Sequence, residues 1–212
     1  LYCINSKAND TLYDQEILCY DGKTYIMHEM EGLNFKINAK SFFQTNTEQA
    51  YELYKIARDL AGLIGDELVY DLYTGTGTIA QFIAKDCRKV VGVESVPEAI
   101  EAARSNAEEN SIKNVFFEVG DMRKVFNQDF INRHGKADVV ITDPPRNGMH
   151  PAVIKQLLFL QPKRIVYVSC NHTTQARDLY LMKEQYRLVC SRAIDMFPQT
   201  QHVENVVLLE KI

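Results

Sequence analysis

At 212 residues, 46% of them hydrophobic, the chain suffices for one large domain or a domain with an appendage, and for a sizeable core. Its formal net charge of −4 argues against a surface coated with basic residues for nucleic acid, while leaving room for a local basic cleft. No apolar run approaches the roughly 20 residues a membrane helix needs.

Residues 1–40 carry strand signals over Leu1–Ile4, Ile17–Tyr20, Thr24–Met27 and Leu33–Ile37, with Asp21-Gly22 as a hairpin-type turn. They are expected to form a small β-rich lead-in to a domain over 41–212. The opening, Leu1-Tyr2-Cys3-Ile4-Asn5, lacks an initiator Met and the basic-then-apolar pattern of a signal peptide. We therefore expect a fragment of a longer protein. The apolar spacing of Ala50, Leu53, Tyr54, Ala57 and Leu60 predicts a helix over Thr47–Ile64, ended by Gly62 and Gly65.

From Glu67 onward, strand and helix alternate. Strands are predicted over Leu68–Tyr73, Lys89–Glu94, Val115–Val119, Asp138–Thr142 and Arg164–Ser169. Helices are predicted over Gly77–Lys85, Pro97–Asn110, Met122–Asn132, Pro151–Leu160 and Thr173–Glu184. Short apolar strands between helices imply an α/β fold with a mostly parallel, doubly wound sheet. Tyr186–Ile194 and Val203–Glu210, with no helix between them, predict a closing antiparallel pair.

Asp71-Leu72-Tyr73-Thr74-Gly75-Thr76-Gly77-Thr78 places glycines where the first strand of this series meets its helix. Glu94 ends the next strand, where an acid can accept both hydroxyls of a ribose. Gly75-x-Gly77-x-x-Ala80 also fits the dinucleotide fingerprint, so the turn alone does not separate NAD from S-adenosylmethionine. Asp121 follows the third strand, as an adenine contact or as a cap. Asp143-Pro144-Pro145-Arg146 follows the fourth, as a rigid substrate-facing loop or as a plain strand exit.

Cys170, in Ser169-Cys170-Asn171, lies on the ligand side of the sheet, where a helix starting near Thr173 offers a favourable dipole. Cys3, Cys19, Cys87 and Cys190 read as structural. With no C-x-x-C pair, no metal site is expected, and the odd count suits a reducing cytosol. Glu204 opens an otherwise apolar strand, as a surface residue or a poised base; His202 beside it reads as a surface residue or a base contact, and His172 as a local hydrogen-bond partner.

These segments resemble the uracil-5-methyltransferases of tRNA and ribosomal RNA. Their catalytic domains carry Phe-x-Gln-x-Asn, Asp-Leu-aromatic-x-Gly-x-Gly, Asp-Pro-x-Arg, Ser-Cys-Asn-Pro and Phe-Pro-x-Thr-x-His-x-Glu. This chain has Phe42-Phe43-Gln44-Thr45-Asn46, the three segments above, and Phe197-Pro198-Gln199-Thr200-Gln201-His202-Val203-Glu204. The resemblance spans about residues 33–212. It implies a Rossmann-like methyltransferase fold with S-adenosylmethionine lined by Gln44, Tyr73, Gly75, Gly77, Thr78, Glu94, Asp121 and Asp143. It further implies Phe42 stacking near the target uracil, Asp143 and Arg146 facing it, Cys170 as nucleophile and Glu204 as general base. The partner would be tRNA or rRNA in the cytoplasm, with an upstream OB-like RNA-binding domain outside this chain. His172 replaces the family's proline and Gln199 a common histidine. Two other readings stand beside it: an NAD-dependent oxidoreductase and a non-catalytic cofactor- and RNA-binding module.

Overall fold

A computed structural model describes residues 1–7, 15–39 and 43–212; Phe42 lies outside them. Near the start, β1 (Tyr25–Met30) and β2 (Leu33–Asn38) pair antiparallel. Glu31 and Gly32 link them at φ 50° and 79°, the left-handed backbone that two-residue hairpin turns require. The hairpin turn therefore falls here and not at Asp21-Gly22, and Leu18 forms only an isolated bridge to Tyr2. The pairing that forms is the one that buries Phe35 completely. The free edge of β2 is capped by side chains: Asn34 N–H donates to Asn110 Oδ1 at 2.7 Å and Lys36 N–H to Asn106 Oδ1 at 2.9 Å.

Helix α1 (Thr47–Ala61) begins where the Asn46 side chain accepts from Gln49 N–H, and ends at Gly62, left-handed at φ 57°. Then come β3 (Leu68–Leu72), α2 (Thr78–Ile83) with a 3-10 turn over Ala84–Asp86, β4 (Lys89–Glu94), α3 (Pro97–Glu109) and β5 (Val115–Val119). They are followed by α4 (Gln128–His134), β6 (Val139–Thr142), α5 (Pro151–Leu160), β7 (Arg164–Ser169), α6 (His172–Met182), β8 (Tyr186–Ile194) and β9 (Glu204–Lys211). Helix α4 starts six residues later than the apolar pattern predicts. Asp121 holds the chain in a turn, its carbonyl accepting from Lys124 and Val125, and Phe126 N–H donates to Gln156 Oε1 instead. The Asn127 side chain then caps α4 at Phe130 N–H.

Seven strands form one sheet in the order β5-β4-β3-β6-β7-β9-β8. The first five in that order are parallel, and β9 is antiparallel to both β7 and β8. Alternate strand residues face opposite layers. Val69, Ile141, Val166 and Val206 pack with Leu53, Phe82 and Ile100 of α1, α2 and α3. Tyr70, Val140, Ile165 and Val207 pack with Phe130, Leu157 and Met182 of α4, α5 and α6. The strand order reverses between β3 and β6, and a doubly wound sheet opens its ligand crevice at the carboxyl ends of such strands.

Candidate active site

The β3–α2 turn is built from the backbone. Tyr73, Gly75 and Gly77 take φ of 60°, 55° and 75°. For Tyr73 this left-handed conformation costs about 1–2 kcal/mol, strain of the kind that collects at ligand sites. The glycines differ in what surrounds them. A Cβ on Gly77 would lie 2.6 Å from the Phe117 ring, whereas one on Gly75 would meet nothing within 4 Å. Gly77 is thus closed against the core, and Gly75 opens on the crevice. Thr78 is the buried first residue of α2, its hydroxyl 3.3 Å from that of Thr76.

Glu94 spans the crevice from β4. Its Oε1 accepts from Ser95 N–H at 2.6 Å and Val96 N–H at 3.1 Å, and its Oε2 from Gly75 N–H at 3.3 Å. A carboxylate oxygen can accept more than one bond, so Oε2 keeps capacity toward a ligand while the turn fixes its position. Asp71, beneath this turn, is 1% exposed and accepts from the Thr74 hydroxyl and from Ala80 N–H. Burial pushes its pKa up to about 7 against those two bonds.

Asp121 sits at the rim. Arg123 takes both of its oxygens, through Nε at 2.9 Å and Nη2 at 2.7 Å, and holds the carboxyl near a pKa of about 2. Gln44 is buried ahead of α1, and Asn46 anchors the same segment by donating to Met196 O at 2.8 Å.

Cys170 and Glu204 come together through sheet register. Ser169 pairs with Asn205 across the antiparallel β7–β9 ladder. Cys170 is the residue after the last of β7 and Glu204 the first of β9, which brings both to the same end of this ladder. Both are half-buried. Burial, then Glu204, then Asp143 push the Cys170 thiol up, while the Arg146 guanidinium beside it pulls the other way. Burial raises Glu204 against the same guanidinium. Burial also lifts Asp143 well above the carboxylate range, with Glu204 and Asp71 adding to the effect. The Asn171 side chain occupies Thr173 N–H at 3.0 Å and Thr174 N–H at 3.4 Å, the donors that would have faced outward. Burial and the two acids thus oppose the thiolate, and Arg146 favours it.

Around this pair, His202 Nδ1 stands 3.5 Å from Arg146 Nη2. Gln199 is left-handed at φ 71°, in a turn where the Thr200 hydroxyl donates to Phe197 O at 2.7 Å. His172 is the exposed first residue of α6. Reading the sequence alone misses Tyr54, buried on α1, whose hydroxyl Asp143, Asp71 and Glu204 all influence. It also misses Asn171, which ties the cysteine loop to the arginine loop by donating to Arg146 O at 3.1 Å. Among the described residues no group of three or more His, Cys, Asp or Glu gathers as a metal site, and no helix is long and apolar enough to cross a membrane.

Similarity to known proteins runs over the whole of this arrangement. A curated relative from Porphyromonas gingivalis, named an uncharacterized RNA methyltransferase, is 64% identical over 99% of this chain and 45% of its own length. Another so named, from Caldanaerobacter subterraneus, is 41% identical over all of this chain and 46% of its own. The chain thus spans somewhat less than half the length of the curated relatives it matches. The crystal structure of Pyrococcus abyssi tRNA (uracil-54, C5)-methyltransferase in complex with S-adenosyl-L-homocysteine superposes with a TM-score of 0.82. That protein is 39% identical, over 97% of this chain and 49% of that one. The family model for tRNA (uracil-5-)-methyltransferase matches residues 24–212, and the chain belongs to that family.

Proposed function

We propose that this chain carries the S-adenosylmethionine-dependent machinery that methylates carbon 5 of a uridine in RNA through a covalent cysteine–uracil intermediate. The observation that supports the reading is the β7–β9 register, which brings Cys170 and Glu204 to one end of the ladder, where Arg146 acts on both. Family membership and the likeness to a tRNA uracil-54 methyltransferase support the same reaction class. On this reading residues 41–212 form the catalytic domain and residues 1–40 a lead-in, whose strand β2 bonds to Asn106 and Asn110 at the end of α3.

The crevice fits the cofactor's polar groups. Gly75 leaves room for close backbone approach, Glu94 Oε2 offers an acceptor to a ribose, and Gln44, Tyr73, Thr78 and Asp121 would line the rest of the cofactor. S-adenosylmethionine, when bound, supplies the methyl group. The remaining chemistry belongs to this chain. Carbon 5 of uracil is a weak nucleophile. As the Cys170 thiolate adds to carbon 6, the ring's π electrons pass to the carbon 4 oxygen as an enolate. Arg146 favours the thiolate before this attack, and Asp143 would face a polar edge of the base. Carbon 5 then takes the methyl. Glu204 removes the carbon 5 proton, the carbon 5–carbon 6 double bond re-forms, and the carbon 6–sulfur bond breaks to return the thiolate. Burial raises the Glu204 pKa and makes it a better proton acceptor than an exposed carboxylate. The target base has to leave its stack to reach a strand-end crevice, and Phe42 would stack on it there.

The NAD-dependent reading leaves the Cys170–Glu204 pairing without a role. The test is the full-length protein, substrate RNA and labelled methyl donor, with nucleoside mass mapping. Wild-type protein should form 5-methyluridine, and Cys170→Ala should lower the rate at least about 10⁴-fold while binding S-adenosylhomocysteine unchanged. Methylation of another atom, or near-wild-type 5-methyluridine from Cys170→Ala, would overturn the proposal.

A further inference from the structure

Beyond the crevice, a buried carboxylate holds the arginine loop in place. Asp178, on α6, is 0% exposed. Its Oδ2 accepts from Met149 N–H at 2.7 Å and from the Tyr167 hydroxyl at 2.8 Å. Its Oδ1 accepts from Arg177 Nε at 2.9 Å and Nη2 at 2.7 Å. Arg177 Nη2 also donates to Asn147 O at 2.9 Å. Gly148 lies between them with φ 74°, and a Cβ there would come 2.7 Å from both Arg177 Nη2 and Asp178 Oδ2. One turn toward the helix start, Asn171 Nδ2 and the Thr174 hydroxyl each donate to Arg146 O at 3.1 Å. Residues 146–149 are thus stitched along α6, the helix that starts two residues after Cys170.

An ion pair between the buried Asp178 and the half-exposed Arg177 is weak evidence for stability, because desolvation of the carboxylate offsets much of its Coulomb energy. What this one does is fix geometry: it joins β7, α6 and the arginine loop at one carboxylate. We infer that Asp178 is a positioning residue, which holds the Arg146 guanidinium against the Cys170 sulfur and so sets the reactivity of that thiol. The inference rests on the proposed function only in taking Cys170 as the reacting group. The charged groups facing Cys170 are Glu204 from β9, Asp143 from the end of β6 and Arg146 from the loop, with His202 on the far side of Arg146. Releasing the loop removes the cation and leaves the two acids.

The test is alkylation of Cys170 by iodoacetamide across pH in the full-length protein, read by peptide mass mapping. Asp178→Asn should slow alkylation at pH 7.5 about tenfold and move the profile to higher pH. S-adenosylhomocysteine affinity should stay within about twofold of wild type, because Asp178 makes no hydrogen bond to the glycine turn. In an Arg146→Ala background, itself slowed, Asp178→Asn should do nothing further. Tyr167→Phe, which removes one bond from the same oxygen, should slow alkylation about twofold to threefold; it decides alone if circular dichroism shows Asp178→Asn unfolded. An unmoved profile, one moved to lower pH, or additive effects in the Arg146→Ala background would overturn the inference. Alkylation needs no RNA, so an error in the reaction class would leave this result standing.

Discussion

The two halves of the crevice are built in different ways. The half around Gly75 and Glu94 comes from about twenty-five consecutive residues, and backbone amides position its key carboxylate. The half around Cys170 draws on β6, β7, α6 and β9, and side chains join it: Asn171 to Arg146, Asp178 to Met149 and Arg177. A local, backbone-built site tolerates little change of backbone and governs ligand affinity. A site assembled from distant segments depends on register and buried polar bonds, and under the proposed function sets reactivity.

This contrast can be sharpened by substitution. The largest effect on stability is expected from Asp71, beneath the glycine turn. Its folded pKa is raised from 3.8 to about 7, so its contribution is fully present below about pH 4 and is lost as pH rises through 7. A shift of that size corresponds to about 4 kcal/mol over the interval. Urea denaturation from pH 4 to 8 should show this decline, and Asp71→Asn, which can still accept from Thr74 and Ala80, should flatten it. A decline of equal slope in Asp71→Asn would assign the effect to other groups.

Next comes the contrast between the two glycines. Gly77→Ala should cost about 2–4 kcal/mol, combining left-handed strain with a clash on Phe117. Gly75→Ala should cost about 1 kcal/mol of stability, because only the strain applies. Equal losses in chemical denaturation would contradict the distinction between a closed and an open glycine. In the binding half, Glu94→Ala should weaken S-adenosylhomocysteine binding by about 1–3 kcal/mol while leaving Cys170 alkylation unchanged. Calorimetry showing unaltered affinity would remove Glu94 from the ribose site, and altered alkylation would couple the two halves.

How far each half was legible in the sequence follows from the same difference. The glycine turn, Glu94 and the bounds of β4, β5, β7 and β8 can be read directly, because spacing along one segment determines them. Cys170 and Glu204 stand out by their neighbours, but their meeting depends on β9 inserting antiparallel between β7 and β8. That order cannot be read from either strand alone. Asp178 reads as a surface residue of α6 until its spacing is examined: Gln175, Asp178 and Met182 form the buried stripe of that helix, and a carboxylate on such a stripe implies a partner. The start of α4 and the hairpin turn were misplaced for a related reason. Gln156 diverts a backbone donor before α4, and burial of Phe35 selects the β1–β2 pairing, both through contacts distant in sequence.

The central claim concerns the division of labour between Cys170 and Glu204, and the most direct measurement is a trapping experiment with the Glu204→Gln protein. Attack at carbon 6 and methyl transfer need only the thiolate and the donor, whereas release needs the carbon 5 proton removed. Full-length Glu204→Gln, incubated with substrate RNA and labelled methyl donor, should accumulate a covalent protein–RNA band carrying the label on a denaturing gel. Peptide mapping should place the bond at Cys170, and Cys170→Ala should give no such band. Inactive Glu204→Gln with no trapped species, or a labelled adduct in Cys170→Ala, would contradict the assignment of base and nucleophile.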